Sequence, residues 1–207
     1  MPHYYDESPV TKSDKKTIEY RINGMNFEFV TDTNVFSRNE IDYGSDFLLQ
    51  KMAEDLKKDG RLTSGKSFLD LGCGYGPVGI VMKSIFKGLT VTQTDVNERA
   101  VGLARTNAER NRTPIHSIVS GSVLEHLDKS DMFDIVATNP PVRAGKSTVF
   151  EFYSQAYEHM NDGGIIYVVL QRKQGAPSTE KKLTELFGNC ETLGVSGGYR
   201  VMKSVKT

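Results

Sequence analysis

Three short stretches carry side chains that could share one chemistry. "LDLGCGYGPVG" (69–79) places Asp70 two residues ahead of Gly72, with Gly74 and Gly76 at the next alternate positions. "VTQTDVN" (91–97) ends a strand-like run on a second acid, Asp95, and "ATNPPVRAGK" (137–146) closes another on Asn139-Pro140-Pro141. A carboxylate at Asp70 opposes an incoming pyrophosphate but suits a ligand that carries an ammonium group. Gly72 and Gly74 allow the tight turn that brings the backbone close to such a ligand. Asp95, closing the next strand, can accept both hydroxyls of an adenosine ribose.

One acid for an amine and one for a ribose describe S-adenosyl-L-methionine. Methyl transfer from a sulfonium is a single in-line displacement, so the protein's main task is to hold nucleophile, methyl and sulfur in line. The exocyclic amino group of a base, or an amide, is a poor nucleophile because its lone pair is delocalised. Two acceptors aimed at its N–H bonds would turn the lone pair toward the methyl. The residue before a proline is pushed to extended conformations, and proline has no backbone N–H. The Asn139 side-chain oxygen and the Pro140 carbonyl are therefore expected to present acceptors free of a competing donor. Asn139, Pro140 and Pro141 are the candidate catalytic residues. No strong general base is required, and His3, His116, His126 and His159 show no partner pattern.

A literal GxGxxG at Gly74-Tyr75-Gly76-Pro77-Val78-Gly79 keeps a dinucleotide-dependent oxidoreductase among the rival readings. A pyrophosphate site wants its glycines directly after the strand, so that helix N–H groups face the phosphates. The acid at Asp70 argues against it.

Composition sets the outer bounds. The 207 residues suffice for one well-buried core and are short for two. With 26 basic and 26 acidic side chains the net charge is zero, so contact with a nucleic acid must come from a local patch. The longest apolar run, "IIYVVL" (165–170), is far too short for a bilayer, and the polar N-terminus lacks the apolar core of a signal peptide. Cys73 and Cys190 have no metal-ligand spacing. The expectation is a cytoplasmic protein with no membrane segment and no metal.

The elements that must position these residues follow from periodicity. "TIEYRI-NG-MNFEFV" (17–30) alternates around Asn23-Gly24, the signature of a two-residue hairpin. Residues 42–60 read as an amphipathic helix with Phe47, Leu48, Met52 and Leu56 on its apolar stripe and Gly60 after its end. From 67 onward, strands (67–71, 89–95, 114–121, 133–138, 164–171) alternate with helices (77–86, 97–111, 147–160, 178–188). Two closing strands flank Gly197-Gly198. Such alternation predicts an α/β fold, a Rossmann-like, doubly wound, mostly parallel sheet with an antiparallel edge strand. A small N-terminal hairpin and helix would cap it. The expected organisation is a flexible stretch 1–15 and a single domain 16–207, divided into a cap (16–60) and a catalytic core (61–207).

"FLDLGCGYG" and "VTQTDVNERA" resemble the first two motifs of class I S-adenosylmethionine-dependent methyltransferases. The resemblance implies that Asp70, Gly72, Cys73, Gly74 and Gly76 line the methionine end of the cofactor. It further implies that Asp95 holds the ribose with Val96 against the adenine, and that Ser122 and Val123 in "SGSVLE" lie beside the adenine amino group. Class I enzymes with Asn-Pro-Pro at this strand end methylate amino groups of bases or of glutamine side chains, with Asn139 facing both cofactor and acceptor. An aromatic usually follows and stacks on the target; here the residue is Val142. From about residue 20 the chain is similar to the "methyltransferase small" group, whose members act on guanine N2 of ribosomal RNA, particularly in the small subunit. It reads as the single catalytic domain of that group.

The resemblance makes ribosomal RNA, or the small ribosomal subunit, the expected partner. A target guanine must be flipped or unpaired to reach Asn139. Val142 and the cations Arg143, Lys146, Arg172, Lys173 and Arg200 are the candidate substrate contacts, with Lys203 near the last of them; phosphates need local positive charge. Phe36, Tyr43 and Tyr199 are further candidates for stacking or for a lid. Methylation of a protein glutamine is the rival enzyme reading, and a non-catalytic RNA-binding factor the rival of a different class.

Overall fold

A computed structural model describes residues 12–58, 64–121, 127–128 and 130–207. Much of the stretch expected to be flexible, Gly60, His3, His126, Ser122 and Val123 lie outside the described residues. The chain opens on the hairpin β1 (Lys16–Ile22) and β2 (Met25–Thr31), paired antiparallel from Lys16↔Thr31 to Ile22↔Met25. Its turn needs two residues at positive φ, and Asn23 (51°) and Gly24 (76°) provide them. Then follow α1 (Tyr43–Lys58), β3 (Ser64–Leu71), α2 (Pro77–Ile85), β4 (Gly88–Asp95), α3 (Glu98–Arg110), β5 (Ser117–Ser120) and β6 (Phe133–Thr138). The chain ends with α4 (Lys146–Glu158), β7 (Met160–Gln171), α5 (Ala176–Phe187), β8 (Glu191–Ser196) and β9 (Tyr199–Val205).

Seven strands form one sheet in the order β5-β4-β3-β6-β7-β9-β8. β3 through β7 are parallel, and β9 runs antiparallel to both β7 and β8. The expected mostly parallel sheet is present, and its antiparallel edge is two strands deep. The closing hairpin returns β9 inside β8, where seven residue pairs join it to β7. β5 is shorter than the expected 114–121; Pro114 has no N–H for the ladder.

Alternate residues on the central strands feed two cores, as the two-residue strand period requires. Phe68, Ile135, Tyr167 and Val169 face α1, α2 and the hairpin; Leu69, Val136, Ile166 and Val168 face α4 and α5. The chain goes β3 to β4 to β5 on one side and then returns to β6 on the other side of β3. Strand order reverses there, and the crevice beyond the carboxyl ends of β3, β4 and β6 is where such sheets bind ligands.

The hairpin is held on α3 by two asparagines one helical turn apart. Asn107 accepts from Val30 N–H (2.7 Å) and donates to Val30 O (3.0 Å) and Tyr75 O (2.9 Å); Asn111 accepts from Glu28 N–H (3.1 Å) and donates to Glu28 O (2.8 Å). Their side chains act as the neighbouring strand that β2 lacks, and Asn107 also ties the hairpin to the glycine loop. Asn107→Ala leaves three buried backbone groups without partners, each worth about 1–3 kcal/mol. A loss of roughly 3 kcal/mol in urea unfolding is expected, with the amides of β2 losing hydrogen-exchange protection first; unchanged stability would contradict the clasp.

Candidate active site

The glycine loop is shaped by β4. Gly72 and Cys73 both donate to Thr94 O (2.9 Å each), and Gly74 N–H donates to Asp95 Oδ2 (2.7 Å). Gly72, Gly74 and Gly76 all have positive φ (75°, 57° and 92°), which an L side chain adopts only under strain. Gly76 caps α2, and a Cβ there would stand 3.1 Å from Ala104 Cβ. Gly79 is a packing position inside α2: an added Cβ would meet Gln93 Nε2 at 2.5 Å. The last glycine of the literal GxGxxG therefore lets a helix approach Gln93.

Asp95 has two tasks. Its second oxygen accepts from Asn97 N–H (2.9 Å), so the carboxylate splints the loop after β3 to the start of α3. Asp95 also lines the larger cavity, where a carboxylate can accept from a ribose diol. Burial raises its pKa against the opposing pull of the Asn97, Gly74 and Val96 N–H groups. Asp70 is buried, and its Oδ2 accepts from Gly79 N–H (2.8 Å) and Gln93 Nε2 (2.8 Å). Burial pushes its pKa up to about 6 despite these two bonds, with Asp95 adding to the rise.

Two cavities adjoin at the crevice. The larger, about 480 Å³, has Asp95, Val96, Gly72, Asn139, Pro140, Pro141, Val142 and Arg143 among its walls. The smaller, about 30 Å³, reaches Asp70 and Cys73. Phe36, Ser37, Asp42, Gly72 and Asn139 border both. Asp70 therefore borders a small recess, a place for a small cationic group such as an ammonium. Gly74 and Gly76 shape the loop without lining either cavity.

Asn139 is oriented from outside its own loop. Its Nδ2 donates to Ser45 Oγ (3.1 Å) and points at both oxygens of Asp42 (3.3 and 3.4 Å). A carboxylate only accepts, so the amide cannot be turned round, and Oδ1 is left to face the cavity. Asp42 also caps α1, accepting from Gly44 N–H (2.9 Å) and Ser45 N–H (3.3 Å). Sequence reasoning missed Asp42 and Ser45 as site residues; the signal was an acid followed by small residues at a helix start.

One expectation is corrected. The Pro140 carbonyl does have a competing donor, because Val142 N–H bonds to it at 2.8 Å. Pro141 (φ −75°, ψ 77°) makes an inverse γ-turn that folds Val142 back. One carbonyl lone pair remains. Among the expected cations, Arg143 lines the larger cavity and the others do not. Lys146 lies over the Phe150 ring (5.1 Å), Arg200 is paired with Glu180, and Lys203 with Asp55 (2.7 Å). Arg172 and Lys173 are exposed on a short 3-10 turn after β7. Tyr199 lines the larger cavity, as do Thr94, Phe152, Gln171 and Gln174, which sequence reasoning did not single out.

A mostly parallel seven-stranded sheet with a glycine loop, two strand-end acids and Asn-Pro-Pro around one crevice defines an S-adenosylmethionine-dependent methyltransferase of class I fold. Residues 26–203 match the model of the methyltransferase small domain, and the chain belongs to that family. It is 39% identical over 204 residues to the uncharacterized protein YbxB of Bacillus subtilis, covering 99% of this chain and 98% of YbxB. It is 26% identical over 202 residues to ribosomal RNA large subunit methyltransferase G of Shewanella woodyi, covering 92% of this chain and 46% of that protein. Among solved structures it superimposes on the T. thermophilus 16S rRNA N2 G1207 methyltransferase (RsmC) in complex with AdoMet and guanosine. That match has TM-score 0.85 and 27% identity, over 96% of this chain and 52% of that one. The chain thus spans about half the length of these two named rRNA methyltransferases. Among the described residues, no helix is long and apolar enough to cross a membrane, and no His, Cys, Asp and Glu group could hold a metal.

The raised pKa of Asp70 has a signed consequence for stability. Unfolded, an aspartate titrates near ~3.9; folded, Asp70 titrates at about 6. Between these values the unfolded chain releases the proton first, so the contribution of Asp70 to folding stability without ligand falls as pH rises through that window. The slope is about 1.4 kcal/mol per pH unit, totalling roughly 3 kcal/mol, and the loss persists at higher pH. Asp70→Asn should remove this decline. Urea unfolding of both proteins at several pH values across the window checks it, and a constant difference between them would refute it.

Proposed function

We propose that this protein transfers the methyl group of S-adenosylmethionine to an exocyclic amino group, guanine N2 of ribosomal RNA. The observation that carries the reading is the fixed amide of Asn139, turned by Asp42 and Ser45 so that its oxygen faces a cavity shared with Asp95 and Gly72.

The donor set fits the cofactor. Asp95 would accept from the ribose hydroxyls, Val96 would pack against the adenine, and Asp70 would meet the ammonium group through the smaller cavity. Gly72 and Gly74 leave the methionine end free of side chains, and Cys73 borders it. When bound, S-adenosylmethionine supplies an electrophilic methyl group on a sulfonium. The residues of the chain do the rest by position. Asn139 Oδ1 and the remaining lone pair of Pro140 O accept the two N–H bonds of the incoming amino group and direct its lone pair. Pro141 holds Pro140 in its turn, and Val142 packs beside the target ring. After transfer the extra proton passes to water. Arg143, at the cavity wall, suits a phosphate, with Lys146, Arg172 and Lys173 outside it. The fold superposition on a guanosine-bound N2 methyltransferase supports guanine as the ring.

Incubation with isotope-labelled S-adenosylmethionine and either ribosomal RNA or peptide-release factors tests the substrate class. Label is expected in RNA, as N2-methylguanine by nucleoside mass spectrometry; label in protein alone would overturn the reading.

The acceptor assignment makes a separate forecast. Asn139→Ala should lower kcat by about 10²–10³, the scale for loss of one oriented hydrogen-bonding group at the reacting centre, while S-adenosylhomocysteine still binds within a few-fold. Asp42→Asn keeps the helix cap but lets the Asn139 amide turn round, so kcat should fall roughly tenfold with KM little changed. Full turnover in either variant would remove Asn139 from its role.

A further inference from the structure

Next to Tyr199, a wall of the larger cavity, stands an aromatic residue that the transfer chemistry does not use. Tyr43 opens α1 and is 48% exposed, yet its ring is held in place. It lies against Tyr199 (centroids 5.6 Å apart) and Phe47 (6.2 Å), and its hydroxyl meets Ser196 Oγ at 2.6 Å. Two glycines make the room. A Cβ on Gly197 would stand 2.7 Å from Tyr43 Cε1, and one on Gly44 would stand 2.7 Å from Tyr199 Cε1. Tyr199 is itself a wall of the larger cavity, as is Asp42, the partner of the Asn139 amide. The two tyrosines therefore form a continuous aromatic step from the acceptor site to the surface. The β8–β9 turn before Tyr199 is also tied to the end of β7: the backbone N–H of Arg172 donates to Gly198 O (2.8 Å), which sets the exposed Arg172 and Lys173 next to Gly197-Gly198.

We infer that Tyr43 is a stacking platform for the base of the unpaired nucleotide next to the target, with its phosphate near Arg172 and Lys173. The inference rests on the proposed methylation of an RNA base. A ring immobilised before binding loses little conformational freedom when a base settles on it. Stacking on an aromatic accepts any base and pairs naturally with a cationic track for the backbone, the pattern of single-strand binding surfaces. A target guanine drawn into the cavity leaves its neighbour at the rim, where Tyr43 stands.

The test is binding of a uridine heptamer with one central guanosine to the full-length protein in the presence of S-adenosylhomocysteine, followed by fluorescence anisotropy. In a second oligonucleotide, 2-aminopurine replaces the base beside the guanosine. Tyr43→Leu, which keeps apolar packing against Tyr199, should weaken heptamer binding by about tenfold, while Tyr43→Phe should bind within about twofold of the unaltered chain. S-adenosylhomocysteine affinity and thermal midpoint should be the same in all three. Quenching of 2-aminopurine should accompany binding in the unaltered chain and in Tyr43→Phe, and be lost in Tyr43→Leu. Equal binding and equal quenching by Tyr43→Leu would overturn the platform, and if the unaltered chain methylates the heptamer, the proposed function stands without it. No heptamer binding and no methylation by the unaltered chain would overturn both.

Discussion

Consecutive N–H groups at the end of β3 are all taken by β4: Gly72 and Cys73 by the Thr94 carbonyl, Gly74 by the Asp95 carboxylate. The rest of the crevice depends on that constraint. It folds the glycine loop back across the sheet, starts α2 at Pro77, and places the acid of β4 beside the space left by the glycines. Without the carboxylate, a half-buried N–H would lose its partner and the loop one of its side-chain ties to β4, the other being Gln93 Nε2 donating to Gly76 O (3.1 Å). The group expected to hold a ribose is thus also a structural fastener. Any substitution there changes fold and binding together.

The same economy recurs on the opposite wall. Asp42 caps α1 at the Gly44 and Ser45 N–H groups and, with the same carboxylate, sets the orientation of the Asn139 amide nearly a hundred positions away. Ser45 does likewise from the first turn of the helix. The hairpin and α1 are therefore not an appendage to the sheet. Through Asn107 the hairpin is tied to the Tyr75 carbonyl of the glycine loop, and through Asp42 the helix is tied to the Asn-Pro-Pro loop. Both sides of the crevice are positioned by segments that precede the sheet in the chain.

Cations are divided by what they face. Arg200 and Lys203 are engaged by Glu180 and Asp55 on their own molecule, so they neutralise local acids. Arg143 lies at the cavity, and Arg172 and Lys173 stand on the turn beside Gly198. The named rRNA methyltransferases are about twice as long as this chain.

Much of this was legible in the residues themselves. Alternation around Asn23-Gly24, the apolar runs of β3, β6 and β7, and the spacing of Asp70, Asp95 and Asn139 identify the hairpin, the parallel sheet and the carboxyl-end crevice. These are signals of local period and turn chemistry, carried within a few residues of one another. The partners of Asn139, the clasp of Asn107 and Asn111 and the pairing of Arg200 were decided only in three dimensions. Each is a hydrogen bond or ion pair whose geometry local pattern could not supply, since a side chain's partners are settled by which elements the sheet order brings together. Local sequence determined which groups the chain possesses and at which strand ends they stand; the tertiary structure decided which of their atoms are already bonded and which are left to face a ligand.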